Sequence, residues 1–338
     1  MPLGRNFWLT RLNKPLSAVL ESSYKEVMSK NLTHVPYYPG CSLKTKALGY
    51  ERSAMDCAKA IGFEMHEIAT WNCCGASFPL TKDNLMGLAA PANILLEAEQ
   101  HCQEREIDAN LITLCSFCYN TLKRTDFAFR EEPKKLETLN AFLKRQYQGS
   151  IKVVHYLEYL RDVIGFDNLA KMVKRDMSSL RVAPYYGCLL LKPQKEMALD
   201  DPEEPVILHD FLEAIGCQVV DFPGQVDCCG SYLIMRDPEK VLELSHNILQ
   251  EANDYGADAL VTACPLCQSN LDQSEGERRG SDHYIGVQGM PIFYFTQLLA
   301  VALGLDTEPH QFERHCIDPT SILSACLEDG AKPIEAKK

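Results

Sequence analysis

The sequence lacks the features of a membrane-spanning or exported chain. No stretch reaches the roughly 18 consecutive apolar residues that a transmembrane helix requires, and the longest run, Ile292 to Leu305, is interrupted by Thr296 and Gln297. The segment Met1 to Lys14 has scattered polar and charged residues and no continuous apolar core, which argues against a secretory signal. We therefore expect a soluble, cytoplasmic protein that reaches the inner membrane only indirectly, through partners.

Basic residues are also scarce. The chain has 34 Lys and Arg against 46 Asp and Glu, a formal net charge of -12, whereas binding to nucleic acid requires clustered cations. We expect no nucleic-acid partner. A Gly-rich phosphate loop, a Ser-His-Asp pattern and a flavin fingerprint are missing, and the nine histidines show no metal-ligand spacing.

Cysteine, by contrast, is abundant. The 15 cysteines are an odd number in a chain without signs of export, which argues against a disulfide framework. In a reducing compartment, many thiols at regular spacing indicate a metal site. A length of 338 residues, with 46% hydrophobic residues, is enough for two modest domains that each bury a core.

The cysteine pattern occurs twice, with other landmarks in one conserved order. Such an internal repeat predicts two copies of one structural unit, over about 34–170 and 180–305. The landmarks and their counterparts are Pro36–Cys41 and Pro184–Cys188, Ala60–Gly62 and Ala214–Gly216, Cys73–Gly75 and Cys228–Gly230, Asn93–Leu95 and Asn247–Leu249, Cys115–Cys118 and Cys264–Cys267, and Val153–Leu160 and Pro291–Leu298.

Strands and helices alternate in each repeat. Short apolar runs ending at Gly-Cys or Cys-x-x-Cys predict strands, and stretches with helical periodicity lie between them, two of them ending at Gly62 and Gly216. This pattern predicts an α/β fold of two pseudo-symmetric domains, each a small, mostly parallel sheet with flanking helices. Ligands of such sheets bind beyond the carboxyl ends of the strands, so the cysteines there can converge on one pocket.

Each repeat supplies five candidate thiol ligands, one more than zinc or an ordinary cubane cluster takes from protein. Adjacent cysteines direct their side chains apart, so a Cys-Cys pair binds two atoms of a multinuclear cluster more easily than one ion. Iron–sulfur binding is therefore favoured, with zinc in one repeat as the minor alternative. The two sets are Cys41, Cys73, Cys74, Cys115 and Cys118, and Cys188, Cys228, Cys229, Cys264 and Cys267.

The other five cysteines are not predicted to be ligands. Cys57, Cys102 and Cys217 lie in elements that pack, where cysteine behaves as a small hydrophobic residue. Cys316 and Cys326 lie in the C-terminal segment, where a ligand role stays possible but is not favoured.

The duplicated pattern of Cys, a gap of 31 or 39 residues, Cys-Cys-Gly, a further gap and Cys-x-x-Cys resembles the CCG-domain family, in particular proteins like the B subunit of heterodisulfide reductase. The resemblance covers about 34–305. It implies that each five-cysteine set holds a noncubane [4Fe–4S] cluster, that the two clusters face each other, and that a disulfide enters between them while each cluster takes one of the resulting sulfurs. The clusters themselves are then the catalytic groups, and no side chain is assigned a catalytic role.

The resemblance also implies partners. A ferredoxin-type run of cysteines is missing, so electrons must come from a C-type subunit with cubane [4Fe–4S] clusters, within a complex that includes a flavoprotein subunit. The substrate would be a small-molecule or protein disulfide, reduced or, in reverse, formed. Two other functions stay open: an electron-transfer subunit of an atypical succinate dehydrogenase, fumarate reductase or hydroxyacid dehydrogenase, and a zinc-bearing scaffold.

Four segments are predicted along the chain. Residues 1–33 form an N-terminal extension whose apolar residues, from Leu12 to Val27, share one helical face; packing on its own domain is favoured over anchoring to a membrane or partner. The first domain spans 34–175 and the second 176–305. The polar segment 306–338 is predicted to be a loosely held tail.

Overall fold

Two four-stranded sheets dominate the computed structural model of the chain, which describes residues 32–76, 85–278 and 289–327. The predicted N-terminal amphipathic helix lies outside the described residues. The first sheet has the strand order β2-β1-β3-β4 and the second has the order β6-β5-β7-β8. The strands are β1 Thr33–Tyr37, β2 Phe63–Glu67, β3 Asn110–Thr113, β4 Lys152–His155, β5 Arg181–Tyr185, β6 Gln218–Val219, β7 Ala259–Thr262 and β8 Ile292–Tyr294.

The strands pair in parallel. In the first sheet β3 lies parallel to both β1 and β4, and in the second sheet β5 lies parallel to β6 and β7, which in turn pairs with β8. The inner strands are short apolar runs, and all four residues of β7 are buried. Parallel strands need this because helices cover both faces of the sheet. The predicted α/β architecture with two parallel sheets is confirmed.

Helices connect the strands and cover the sheets. They are α1 Gly40–Leu43, α2 Leu48–Ile61, α3 Ala89–Arg105, α4 Ser116–Glu131, α5 Pro133–Leu143, α6 Tyr156–Tyr159, α7 Phe166–Ala170, α8 Gln194–Met197, α9 Ile207–Ala214, α10 Pro238–Asp254, α11 Pro265–Arg278, α12 Phe295–Ala302 and α13 Thr320–Leu327, with a π-helical turn at Leu160–Ile164 and 3-10 turns at Leu85–Leu88, Pro223–Val226, Ser231–Leu233, Glu308–His310 and Phe312–Arg314. Among the described residues, no helix is both long enough and apolar enough to cross a membrane.

The predicted helix ends are confirmed where glycine stops the helix. Gly62 follows α2 with a left-handed φ of 111°, and Gly216 lies just after α9 with a φ of 91°. A residue with a side chain adopts this conformation at an energetic cost, so glycine ends the helix and turns the chain toward the next strand. Each of these helices therefore leads directly into the edge strand of its sheet.

The structure shifts one landmark match, that of Pro36–Cys41 with Pro184–Cys188, by one residue at the tyrosines of these segments. Tyr38 donates from its hydroxyl to the carbonyl before Cys73, and Tyr185, not Tyr186, donates to the carbonyl before Cys228. The strand registers agree, since Tyr37 pairs with Ile112 and Pro184 with Val261. Tyr38 therefore corresponds to Tyr185, and Tyr37 corresponds to Pro184. The sequence match of the two Tyr-Tyr pairs is wrong by one residue, because the identical dipeptides occupy different backbone positions.

The two repeats share a continuous junction. The rings of Tyr50 and Tyr294 stack with centroids 4.1 Å apart, and the hydroxyls of Ser53 and Thr296 hydrogen-bond at 2.6 Å. All four residues are buried. These contacts join α2 of the first repeat to β8 and α12 of the second, and both repeats belong to one compact unit.

The C-terminal segment corrects one prediction. Residues 306–327 are not a loosely held tail, because Phe312 and Leu323 are buried and the side-chain amide of Gln297 donates to the backbone oxygen of His310 at 3.0 Å. The prediction failed because the segment is polar on average, although a few widely spaced apolar residues in it pack against the core. Residues 328–338 lie outside the described part of the chain.

A glycine in α2 tests this docking. Alanine at an exposed helical position normally stabilises a helix by about 0.5–1 kcal/mol relative to glycine, but a Cβ at Gly49 would lie 2.3 Å from the backbone oxygen of His310. We expect Gly49→Ala to destabilise the chain by roughly 1–3 kcal/mol, seen as a lower melting temperature. The exposed Lys59→Ala in the same helix serves as control, with an effect within about 0.5 kcal/mol. A raised melting temperature for Gly49→Ala would contradict the packing.

Candidate metal centre

The ten predicted cysteine ligands lie in the turns and first helical residues that follow strands; Cys41, Cys118 and Cys267 are within the first turn of a helix. In the first repeat Cys41 follows β1, Cys73 and Cys74 follow β2, and Cys115 follows β3 at the position before α4. The second repeat arranges its five cysteines in the same way around β5, β6 and β7. Because parallel strands end at one edge of a sheet, the cysteines of each repeat converge beyond that edge.

The thiols form short contacts, and each repeat makes the same two pairs. In the first repeat Cys41 Sγ lies 3.8 Å from Cys73 Sγ, and Cys74 Sγ lies 3.6 Å from Cys118 Sγ. In the second repeat the corresponding pairs, Cys188 with Cys228 and Cys229 with Cys267, are both 3.5 Å apart. The structure thus brings Cys-Cys-Gly together with both the lone cysteine and Cys-x-x-Cys, as the sequence predicted.

Exposure differs systematically within each set. Cys41 and Cys73 are exposed and Cys188 and Cys228 are half-buried, whereas the remaining six are buried. Each set therefore has an open side and a closed side. The buried members are Cys74, Cys115, Cys118, Cys229, Cys264 and Cys267.

A glycine permits the close approach of backbone and thiol in each repeat. Gly40 has a φ of +70°, and a Cβ built on it would lie 2.8 Å from Cys118 Sγ. Gly187 has a φ of +62°, and its Cβ would lie 3.2 Å from Cys267 Sγ. A side chain at either position would be strained by the positive φ and would crowd the sulfur atom. Glycine therefore lets the backbone pack closely against the buried thiol.

In each set a hydrogen bond between two thiols favours thiolate at one cysteine, and it raises the pKa of the partner thiol, Cys118 or Cys188. A hydrogen bond with the Cys118 thiol, against the opposing effect of burial, lowers the pKa of Cys74 to about 7. The Cys188 thiol acts in the same way on Cys228 and lowers its pKa to about 6. Backbone N–H groups assist: Gly230 N lies 3.4 Å from Cys228 Sγ. Thiolate is the form that binds metal.

The two sets adjoin each other. The thiols of Cys115 and Cys264, the first cysteines of the two Cys-x-x-Cys motifs, are near enough across the junction between the repeats for each to influence the pKa of the other. Ser116 Oγ donates to the backbone oxygen of Ala263 at 3.0 Å, which ties the two motifs together. Ser116 also lines, with Phe117, a small cavity among the second set of cysteines. Residues of the first repeat thus help to enclose the second site.

A buried histidine holds the two Cys-x-x-Cys motifs in register. His155, at the end of β4, hydrogen-bonds through Nε2 to the backbone oxygen of Leu114 at 3.0 Å, and its ring also contacts the oxygen of Ala263. Leu157 N donates to Nδ1, so the proton is on Nε2. Burial lowers the pKa of His155 to about 4, so the ring is neutral at pH 7 and spans the residues that precede Cys115 and Cys264.

Further positioning residues were not found from the sequence. In α4, Thr121 Oγ1 donates to the backbone oxygen of Ala76 at 2.7 Å, and in α11 Asn270 Nδ2 donates to the backbone oxygen of Cys229 at 3.1 Å. Each residue lies three positions after a Cys-x-x-Cys motif and fastens the Cys-Cys-Gly turn to it. A polar residue at that spacing in both repeats was the available signal.

The other five cysteines stay outside the two sets. Cys57, Cys102 and Cys217 are buried, and burial raises the pKa of each thiol, as expected for packing residues. Cys326 is buried and Cys316 is exposed. The Sγ atoms of Cys57, Cys102 and Cys326 hydrogen-bond to groups outside both sets: the backbone oxygens of Thr296 and Asp108 and the hydroxyl of Ser179.

The donor set fits an iron–sulfur group. Each site offers five sulfur donors with no carboxylate or imidazole among them, and thiolates select zinc, copper(I) or iron–sulfur centres. A single zinc ion uses four ligands, which would leave one buried or crowded thiol of each set unused. The separation into two Sγ pairs and a fifth thiol suits a group with several metal atoms.

Comparisons with known proteins agree with this arrangement. The family model named CCG, Cysteine-rich domain, matches residues 35–123 and 182–272. The chain is 30% identical over 291 residues to an 8-methylmenaquinol:fumarate reductase membrane anchor subunit of Wolinella succinogenes, covering 85% of this chain and 98% of that protein. It is 27% identical over 305 residues to the B subunit of the ferredoxin/F(420)H(2)-dependent CoB-CoM heterodisulfide reductase of Methanosarcina acetivorans, covering 87% and 97%.

A solved structure shares the fold. A crystal structure of a hypothetical protein from Helicobacter pylori superposes with a TM-score of 0.66 at 13% identity. The match covers 92% of this chain but only 59% of the other, so the chain spans less than two thirds of that protein. The duplicated family match and the extended similarity in sequence lead to one conclusion: the chain belongs to the CCG cysteine-rich domain family, with two copies of the domain, and is similar over most of its length to the B subunit of heterodisulfide reductase.

Proposed function

We propose that this chain is an oxidoreductase subunit like the B subunit of heterodisulfide reductase, and that it reduces a disulfide, or forms one in reverse, at two noncubane [4Fe–4S] clusters. The observation that carries the proposal is the pair of adjoining five-cysteine sites, each with the same thiol contacts and linked by the hydrogen bond from Ser116 to the backbone oxygen of Ala263. Two neighbouring redox centres suit a reaction that transfers two electrons. One cluster would be held by Cys41, Cys73, Cys74, Cys115 and Cys118, and the other by Cys188, Cys228, Cys229, Cys264 and Cys267.

The clusters would supply electrons singly when bound. In the overall reaction the S–S bond of the substrate breaks, two electrons come from a partner, two protons come from water, and two thiols form. The buried thiols fix each cluster on its closed side, while the accessible pair, such as Cys41 and Cys73, leaves the other side open to substrate. His155 and Ser116 hold the two sites at one separation through the carbonyl of Ala263.

The proposal includes partners. Relatives named above are subunits of reductases, and this chain's described residues contain cysteine clusters only at the two sites, with no further set for an electron relay. A C-type subunit with cubane [4Fe–4S] clusters would deliver electrons, and a flavoprotein subunit would complete the complex. The substrate is a small-molecule or protein disulfide.

A second candidate has its own observation. The Wolinella relative, at 30% identity, is named as a subunit of a fumarate reductase. An electron-transfer subunit of an atypical succinate dehydrogenase or fumarate reductase, or of a hydroxyacid dehydrogenase, would need the same cysteine sites but no disulfide. Activity assays of the isolated complex distinguish the two candidates. Quinol-dependent reduction of fumarate, without disulfide turnover, would favour this second candidate.

Loss of one accessible thiol tests the reductase. We expect anaerobically purified wild type to contain about eight iron atoms per chain and to oxidise a reduced viologen dye with the CoB-CoM heterodisulfide or glutathione disulfide. Cys188→Ser should lower the iron content to about four and the turnover at least about 100-fold. Cys102→Ser is the control with full iron and turnover, because the Sγ of Cys102 donates to the backbone oxygen of Asp108, outside both sets. Unchanged turnover in Cys188→Ser would refute the assignment.

Steric closure at the Gly-Cys turn gives an independent test. Gly40→Ala should lower the iron content of the first site because its Cβ would meet Cys118 Sγ at 2.8 Å. Gly149→Ala has a similar φ of +80° but no atom within 4 Å of its Cβ, so it carries the backbone strain of about 1 kcal/mol alone. Iron and sulfide analysis should show a loss in Gly40→Ala and none in Gly149→Ala. Equal iron contents would show that the cysteine geometry does not hold the metal.

A further inference from the structure

A second group of metal-binding side chains lies apart from the cysteines, on the first sheet. His34 on β1 and Glu64 and His66 on β2 each offer one donor atom, and these three atoms lie within 4.8 Å of one another. No spacing pattern in the sequence indicates this group, because it combines residues from two strands separated by α2. Within β2 the alternation of side chains places Glu64 and His66 on the same face.

The distances suit a single ion. His66 Nε2 lies 2.7 Å from His34 Nδ1, and Glu64 Oε2 lies 3.7 Å from each of these nitrogens. A triangle with sides of 2.7, 3.7 and 3.7 Å has a circumscribed radius of about 2.0 Å, which equals the Zn–N and Zn–O bond lengths of about 2.0–2.2 Å. One point in the plane of the three atoms therefore lies at bonding distance from all of them. Tetrahedral zinc would need the two histidine nitrogens, which now hydrogen-bond at 2.7 Å, to move slightly apart.

The surroundings suit a cation with an open coordination position. The side chains of His34, Glu64 and His66 are 45%, 40% and 26% exposed, so water can supply a fourth ligand. The Glu64 carboxylate supplies a negative charge beside the two imidazole rings, which suits a divalent cation.

We propose that His34, Glu64 and His66 form a binding site for a divalent transition-metal ion, Zn²⁺ by the chemistry of its ligands, distinct from the cysteine sites. Two histidines and one carboxylate with a water in the fourth position are a common zinc ligand set. The proposal stands independently of the iron–sulfur assignment, because it shares no residue with either cysteine set.

The site lies between the edge strand β2 and its neighbour β1, which indicates a structural role. β2 is the edge strand of the first sheet, and an ion held by both strands would fasten it to β1. β1 leads to Cys41 and β2 leads to Cys73 and Cys74, so the ion would fix the relative position of the two turns that supply three thiols. The strands are already linked there by Ile68 N, which donates to the backbone oxygen of Tyr37 at 3.0 Å. The site is thus a structural staple for the first cysteine set.

The test uses the full chain purified anaerobically with its iron in place. Zn²⁺ is titrated calorimetrically against wild type, His66→Gln, Glu64→Gln and, as control, His246→Gln on helix α10 of the second repeat. We expect one Zn²⁺ per chain in wild type and in His246→Gln, with affinity at least about tenfold lower in the other two variants. Zn²⁺ should also raise the melting temperature of wild type and not that of His66→Gln.

X-ray absorption at the zinc edge separates this site from zinc at stray cysteines. The expected first shell contains nitrogen and oxygen at about 2.0–2.2 Å, whereas thiolate ligands would give sulfur at about 2.3 Å. Sulfur neighbours, or equal affinities in wild type and in both ligand variants, would overturn the proposal. So would the absence of zinc binding by wild type, which would leave His34 and His66 as a pair that only shares a proton. Glu64→Gln keeps the shape of the site, so its affinity remains informative if His66→Gln folds poorly.

Discussion

The structure depends on the gathering of ten thiols into two adjoining sites. Six of these thiols are buried, and the paired sulfurs lie 3.5 to 3.8 Å apart. Several thiolates cannot share so small a volume without a compensating positive charge, because burial and mutual repulsion both disfavour the charged form. The raised pKa values of Cys118 and Cys267 beside the lowered values of Cys74 and Cys264 show this conflict. A bound metal would resolve this conflict, since each thiolate would then have a cationic neighbour.

The same arrangement of strands and cysteines brings the thiols together in each of the two repeats. Each repeat ends three parallel strands at one edge and places a cysteine element just beyond each end, so no long loop has to bring the ligands together. The junction between the repeats fixes the position of one cysteine site relative to the other. Ser116, the Tyr50 and Tyr294 stack, and the neutral ring of His155 fix two copies at one separation. A reaction that uses two centres in concert requires that separation to be constant.

The sequence predicted the α/β fold, the duplication and the grouping of the cysteines because each rests on a local pattern. Apolar runs that end in Gly-Cys mark buried strands, and glycines such as Gly62 mark helix ends. What the sequence could not predict depends on contacts between distant segments. The one-residue shift between Tyr38 and Tyr185 follows from strand register, and the docking of 306–327 follows from a few spaced apolar residues. The grouping of His34 with Glu64 and His66 follows from the pairing of β1 with β2.

The central claim is that each five-cysteine set holds a group of several iron atoms. Anomalous diffraction at the iron edge, from crystals of the anaerobically purified chain, tests it most directly. The account predicts two separate clusters of iron peaks, each within bonding distance of the five Sγ atoms of one repeat. A single peak per site, or zinc in place of iron at both sites, would contradict it.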